Sequence, residues 1–209
     1  MGADAAESPR IVGGGGGAVR ACLEEWRSLE EGEAIAAARG GEWAAFDGLV
    51  RRHLGRVYAV AFRIVGNHED AEDLAQECFV RAHGALGLYR GEGEFEAWLL
   101  RIAVHLARDQ VRRRRVRGGG VAAEDMELAS GELAPWQEVS RREVARELGS
   151  CIQALPEALR VALVLRVLEG LEYGEVARIT GVRAGTVRTQ VMKARKILAR
   201  LMAPLFERS

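Results

Sequence analysis

Between Gly170 and Leu201, side chains that can hydrogen-bond and side chains that can be buried fall on opposite sides of a helical period. Val187, Val191, Ala194, Leu198 and Leu201 recur at steps of four, three, four and three residues, the repeat of one helix face turned to a core. The other face carries Thr186, Arg188, Thr189, Gln190, Lys193 and Lys196. Each of these can donate a hydrogen bond and none is acidic. Upstream, Tyr173, Val176, Ala177 and Ile179 make the apolar side of a shorter helix, and Gly181 sits where a sharp turn needs tolerance of positive φ. A helix-turn-helix places the start of its second helix in the DNA major groove. Arg183, Thr186, Arg188 and Gln190 would then face bases and nearby phosphates, with Lys193 and Arg195 on phosphates further out. The same spacing also fits an ordinary antiparallel helix pair with a solvated basic face.

Two other clusters could do chemistry. The densest charge is Arg112-Arg113-Arg114-Arg115-Val116-Arg117, stopped by Gly118 to Gly120. Alone, such a run is a solvated face, or a helix end where cations complement the dipole. Just before it lie Tyr89, Phe95 and Trp98, with Arg90 and Arg101 among them. Aromatic faces beside cations are what single-stranded nucleic acid needs, since bases stack and phosphates pair. Tyr89, in a Gly-rich loop, is the better stacking candidate; Trp98, on an apolar helical face, is expected to pack in the core.

Asp70, Glu72, Asp73 and Glu77 form a carboxylate cluster, of which Asp70, Asp73 and Glu77 share a helix face. Only His68 accompanies them, and no partner carboxylate motif occurs elsewhere, so a surface for a basic partner is favoured over metal or acid–base work. His53, His83 and His105 share no ligating spacing and read as core or boundary residues. No G-x-x-x-x-G-K, G-x-S-x-G or H-E-x-x-H pattern occurs. These readings point away from an enzyme and call for no cofactor or metal.

The elements that must hold these residues are helical. Of 209 residues, 48% are hydrophobic and only four are proline, which favours helices over a β-sandwich. The overall net charge of zero hides a pattern. Residues 1–33 carry −4, 34–117 carry +3, 118–140 carry −5 and 141–209 carry +6, so the segments that look folded are the basic ones, as suits a nucleic-acid binder. Residues 1–17, ending in five glycines, cannot bury enough apolar surface to order themselves. Residues 18–38 fit one or two helices. A helix is expected from Glu42 to Val65, broken at Gly66-Asn67. A second, with an acidic first turn, runs to about His83. A loop from Gly84 to Glu94 precedes a third helix from about Phe95 into the arginine run. Residues 118–140 read as a linker. Helical signal returns near Arg141, and Pro156 is expected at the first position of a helix that is apolar nearly all round.

Cys22, Cys78 and Cys151 are scattered, which fits reduced thiols in a cytosol, with Cys78 and Cys151 as small core residues. There is no apolar run of ~18 residues and no secretory signal pattern, so no membrane segment and a cytoplasmic location are expected.

The run Asp70-Ala71-Glu72-Asp73-Leu74-Ala75-Gln76-Glu77-Cys78-Phe79-Val80-Arg81-Ala82 closely resembles the signature helix of bacterial RNA polymerase sigma factors of the extracytoplasmic-function (ECF) group. Tyr89-Arg90-Gly91, Phe95, Trp98-Leu99, Arg101-Ile102-Ala103, Asp109 and the arginine run resemble the segment that follows it. Leu155-Pro156-Glu157 through Gly170-Leu171, Tyr173, Glu175-Val176-Ala177, Gly185-Thr186-Val187-Arg188 and Ala194-Arg195 resemble the C-terminal domain. The resemblance covers residues 34–115 and 141–203.

The resemblance implies an all-α chain of two small helical domains joined by a flexible acidic linker: an N-terminal extension over 1–33, sigma domain 2 over 34–117, the linker over 118–140, and a helix-turn-helix domain 4 over 141–209. It implies a transcription initiation factor that is not an enzyme. Asp70, Glu72, Asp73, Leu74, Gln76, Glu77 and Arg81 would bind core RNA polymerase at the clamp helices of its largest subunit, with the flap as a further contact. Tyr89, Arg90, Phe95, Trp98, Arg101 and His105, followed by Arg108, Arg112, Arg113 and Arg115, would recognise and melt the −10 element. Arg183, Gly185, Thr186 and Arg188, with Thr189, Gln190, Lys193 and Arg195, would read the −35 element. Promoter DNA is the ligand, and an anti-sigma factor, which could hold the chain at the inner membrane, is the expected antagonist. The sequence departs from the family at His53, His83 and His105, where Tyr, Trp and Asn are common; the last position is linked to −10 base choice. A dimeric helix-turn-helix regulator is the alternative, and it leaves Asp70–Arg81 and the arginine run without a role. A metal-dependent nucleic-acid enzyme using the acidic cluster is the third reading.

Overall fold

The computed structural model describes residues 30–91, 94–116 and 135–206. All regular elements among them are helices, as the sequence predicts. The disorder expected for 1–17 and residues 118–134 of the linker expected over 118–140 lie outside the described residues, while residues 135–140 are helical rather than linker. The chain divides into two compact units, 1–52 and 53–209.

In the first unit, α1 (Glu31–Arg39) ends at Gly40 and buries Ala34, Ile35 and Ala38. It is followed by the opening turns of α2 (Trp43–Val65). Ala45, Phe46 and Leu49 are buried, while Trp43 stays 67% exposed with its ring 6.1 Å from Phe46.

The second unit begins within α2. That helix stops at Gly66, whose φ of +84° only glycine adopts readily. Asn67 then caps α3 (His68–Ala85): its Oδ1 accepts from the Asp70 backbone N–H at 2.9 Å. A cap of this kind stabilises a helix by about 1 kcal/mol. Glu69 and Asp70 place negative charge in the first turn, favourable at a helix N-terminus. The helix continues two residues beyond its expected end at His83 and tightens into a 3-10 turn at Leu86–Leu88, so the stretch expected as loop is partly ordered. α4 (Phe95–Val116) packs against α3. Ala71, Leu74, Ala75, Cys78, Phe79 and Ala82 of α3 are buried, as are Leu99, Leu100, Ala103, Leu106 and Ala107 of α4. Removing such a set of apolar side chains from water is the main force holding the pair, at about 25 cal/mol per Å².

α5 (Pro135–Gln153) starts six residues before the helical signal read from the sequence. α6 (Glu157–Leu163) runs into a π-helical turn at Val164–Leu168. Val161 to Leu165 are all buried, so the stretch that is apolar all round is indeed a central one. Pro156 is the N-cap residue rather than the first helical one; with its fixed φ it can still start the helix. α7 (Tyr173–Thr180) opens with a reciprocal capping box between Glu172 and Glu175 and ends at Gly181, φ +72°. α8 (Ala184–Phe206) follows. Its predicted core face holds at Val187, Val191 and Ala194, which are buried, but not at Leu201, which is 42% exposed. α5, α6 and α7 all pack against α8, and Leu201 lies near its C-terminal end.

Candidate nucleic-acid interface

The left-handed Gly181 turns the chain from α7 into α8 and so sets the angle at which α8 is presented. Val187, Val191 and Ala194 anchor α8 inward, which leaves Arg183, Gly185, Thr186, Arg188, Thr189, Lys193 and Arg195 exposed and Gln190 half-buried. Thr189 donates its hydroxyl to the Gly185 carbonyl at 3.0 Å, so it offers an outside partner its acceptor lone pairs and its methyl group rather than a free proton. Arg188 lies over the ring of Tyr173, with the guanidinium carbon 5.3 Å from the centroid. Arg166 approaches the same ring at 4.8 Å and also donates to the Leu171 carbonyl at 3.1 Å. Tyr173 therefore orients a candidate base-reading arginine. Sequence reasoning placed it only on an apolar stripe; an aromatic opening the first helix of the pair was the available signal.

On α4 and the loop before it, the structure corrects one expectation. Tyr89 is 8% exposed rather than presented in the loop, with its ring 5.4 Å from Phe95 and 5.3 Å from Trp98. The apolar energy of an aromatic cluster outweighs its availability for stacking. Trp98 is half-buried and Phe95 is buried. Neighbouring Leu88 is 80% exposed, an apolar side chain at the lip that sequence reasoning did not single out. Arg90, Arg101, Arg112, Arg113 and Arg115 are exposed. Arg108 is instead paired with Glu157 at 2.6 Å. His105 is exposed, and its Nδ1 donates to the Arg101 carbonyl at 2.7 Å. His83 is also exposed, so neither is the core or boundary residue expected. His53 is buried, edge-on to Phe95 and 3.7 Å from the Glu96 carboxylate.

The acidic residues of α3 separate into two roles. Glu72, Asp73, Gln76, Glu77 and Arg81 are exposed, with Glu77 and Arg81 paired at 2.7 Å one turn apart. Leu74 is buried beneath them. Asp70 turns inward. Its carboxylate accepts from Asn67 Nδ2 at 2.9 Å and from Gln110 Nε2 at 3.0 Å, and pairs with Arg114 at 2.6 Å. Its side chain is only 13% exposed. Asp70 thus fastens the start of α3 to the arginine-rich end of α4, and Arg114, absent from the predicted contact residues, is its partner there. Asp73, Glu77 and Arg81 line a shallow groove with Gln110 and Arg113. Among the described residues, no three His, Cys, Asp or Glu side chains are placed to hold a metal ion, and no helix is long and apolar enough to cross a membrane.

Comparison with known proteins matches these surfaces to families. Residues 49–117 match Sigma-70 region 2 and residues 145–198 match Sigma-70 region 4. The RNA polymerase sigma-H factor of Pseudomonas aeruginosa is 37% identical over 79% of this chain and 90% of its own length. The ECF RNA polymerase sigma-E factor of Escherichia coli is 35% identical over 80% and 92%. Among solved structures, CnrH in complex with the cytosolic domain of CnrY is 28% identical, with a TM-score of 0.60 over 82% of this chain and 96% of that one. The sigma factor RpoE of Bartonella quintana, in complex with the anti-sigma factor NepR, shares the fold at a TM-score of 0.61 and 22% identity over 76% and 96%. With both regions in order along one helical chain, and relatives that span nearly its whole folded length, the protein belongs to the extracytoplasmic-function group of RNA polymerase sigma factors.

Proposed function

We propose that this sigma factor directs core RNA polymerase to specific promoters through three surfaces. The exposed acidic face of α3 (Glu72, Asp73, Gln76 and Glu77) meets a basic surface on the polymerase clamp helices. The start of α8 reads the −35 element in the major groove, with Arg188 as its central side chain. The loop before α4 and the exposed arginines of α4 hold the −10 element once its strands part. The domain assignment reads residues 34–117 as domain 2, a tie from 118 up to the start of α5 at Pro135 rather than to 140, and the helices that follow, through 209, as domain 4, with an extension before them.

The observation that carries the reading is the coexistence, on one chain, of an exposed carboxylate face within the region 2 match and an exposed face of hydrogen-bond donors within the region 4 match. A duplex-binding regulator needs only the second. Melting unstacks bases at a few kcal/mol per step, and binding to a large partner through the first face supplies that energy. Free chain is therefore expected to bind DNA weakly, since about four to six phosphate contacts at the second face give modest, salt-sensitive affinity. A protein antagonist fits the same surfaces, and the structural relative CnrH is seen with the cytosolic domain of CnrY.

Run-off transcription tests the proposal. Core polymerase plus this chain should give discrete transcripts from a promoter library that core alone does not. Tight, sequence-specific duplex binding without polymerase, and no transcript above core, would instead favour the regulator.

A further inference from the structure

The first unit carries an apolar surface that none of the three functional surfaces uses. Trp43, Asp47 and Val50 recur along the opening turns of α2 at steps of four and three residues, which puts them on one side of the helix. With Ala44 and Phe46 they line a hollow of ≈ 460 Å³. Phe46 is buried, Ala44, Asp47 and Val50 are half-buried, and Trp43 is 67% exposed. The one charged side chain among them, Asp47, accepts from Arg51 Nε at 2.8 Å. Such a hollow suits an apolar side chain rather than an ion or a nucleic acid. Four of its five residues precede the Sigma-70 region 2 match, which begins at residue 49.

The chain itself holds a segment of matching chemistry. Val19, Cys22, Leu23, Trp26 and Leu29 recur at steps of three and four residues, the spacing of an apolar helical stripe. Arg20, Glu24, Glu25 and Arg27 fall between them. This segment lies outside the described residues and ends one residue before Glu30, the N-cap of α1. Reach does not prevent it from meeting α2. The nine residues of α1 span about 14 Å, and a tight turn follows them. The Glu42 N–H donates to the Ala37 carbonyl and the Gly41 N–H to the Ala38 carbonyl, both at 3.1 Å, around a left-handed Gly41 with φ +95°. So short a connection makes antiparallel neighbours of the two helices. α2 therefore runs back toward the start of α1, and its stripe passes the point where the segment joins. Tethering gives the segment an effective concentration in the millimolar range, which favours it over a second copy or a separate partner.

We propose that residues 19–29 dock along Trp43, Asp47 and Val50 of α2, with Trp26 seated in the hollow, as a third element that closes the apolar side of the first unit. The residues before α1 are then a working part of the first unit, because they cover an aromatic surface of the kind that otherwise marks a site of association.

The test uses the full chain with Cys151→Ser and Asp47→Cys, keeping buried Cys78. The Asp47–Arg51 pair that is lost is largely exposed and contributes little. A short bismaleimide bridges native Cys22 to the new thiol at position 47, and peptide mapping identifies the product. A tether alone brings two thiols together some of the time, so the informative quantity is the change when apolar groups are removed. Trp26→Ser with Leu29→Ser should slow bridging within one chain at least about fivefold, and Trp43→Ser should do the same. All three together should be no slower than either set alone, since both sets remove the same contact. Trp26→Phe should stay near the parent rate, and Cys78 should alkylate slowly throughout, which separates undocking from misfolding. Equal bridging in the parent and in the Trp26→Ser, Leu29→Ser variant would overturn the docking, as would effects of the two sets that multiply. Bridging found only between two copies would give the hollow to a second chain and overturn it likewise.

Discussion

The guanidinium of Arg188 rests over the ring of Tyr173, 5.3 Å from its centroid, so the residue proposed above to read the major groove is held by the helix before its own. A cation–π contact at a partly exposed site contributes about 0.5–1 kcal/mol. We therefore expect Tyr173→Leu to lower −35-dependent initiation by roughly two- to fivefold, with Tyr173→Phe close to the parent. Arg188→Ala removes the reading group itself and should cost ~1–3 kcal/mol of contact energy. Transcription from a strong promoter, with and without its upstream element, measures both; loss of the same size on a promoter lacking that element would show that neither residue reads it.

The inward Asp70 and the outward Asp73 should behave differently although they lie one turn apart. Asp73 is exposed, so Asp73→Arg should weaken core binding at least tenfold with little change in Tm. Asp70 holds Asn67, Gln110 and Arg114, and Asp70→Ala should destabilise the fold by roughly 1–3 kcal/mol, as expected when partners of a charged hydrogen-bonded group are stranded. Pull-down with core polymerase, alongside thermal melts, distinguishes them. A stable Asp70→Ala with lost core affinity would place its carboxylate at the interface instead.

These two carboxylates show what the sequence could and could not convey. Period and turn residues are local, so the helix from Trp43 to Val65, the break at Gly66 and the left-handed Gly181 were all legible. Spacing put Asp70 and Asp73 on one helical face, but which of them meets a partner depends on Gln110 and Arg114, about forty residues away. Tyr89 was misread for a similar reason. A glycine-rich loop argues for exposure, yet Phe95 and Trp98 fold back to enclose the ring. Glu169 carries no local signal at all, since the two arginines it pairs with, Arg56 and Arg63, lie more than a hundred residues earlier.

Cys78 is fully enclosed between α3 and α4, with its Sγ 3.6 Å from the Leu99 carbonyl. Burial pushes its thiol from the ordinary 9.0 up to about 12. Below pH 9 both folded and unfolded chains keep the proton and stability is unaffected. Between pH 9 and 12 the unfolded chain loses the proton first, so folding stability falls as pH rises, by about 1.4 kcal/mol per pH unit from this group. Cys78→Ala should flatten that slope in denaturant titrations at pH 9 to 11. In the native chain at pH 8, half-buried Cys151 should alkylate well before Cys78.

Arg160 is the buried charge on which the junction of α2 with α5 and α6 depends. It is 5% exposed, and burial pulls its pKa down from the ordinary arginine value, opposed by the nearby Glu157 carboxylate. Its guanidinium donates to the carbonyls of Ile64 at 2.6 Å and Leu155 at 3.1 Å, and to both the backbone and side-chain oxygens of Gln153. A planar fork of five donors can serve four acceptors at once, whereas an ammonium with three cannot. Arg160→Ala would strand those acceptors in a dry site at about 1–3 kcal/mol for each that finds no other donor, or about 3–5 kcal/mol in all. For a folded unit of this size that corresponds to a fall in Tm of roughly 6–20 °C. Arg160→Lys should recover only part of it, because at least one carbonyl stays without a donor. Should Arg160→Lys melt with the parent, charge rather than the shape of the fork would be what the junction requires.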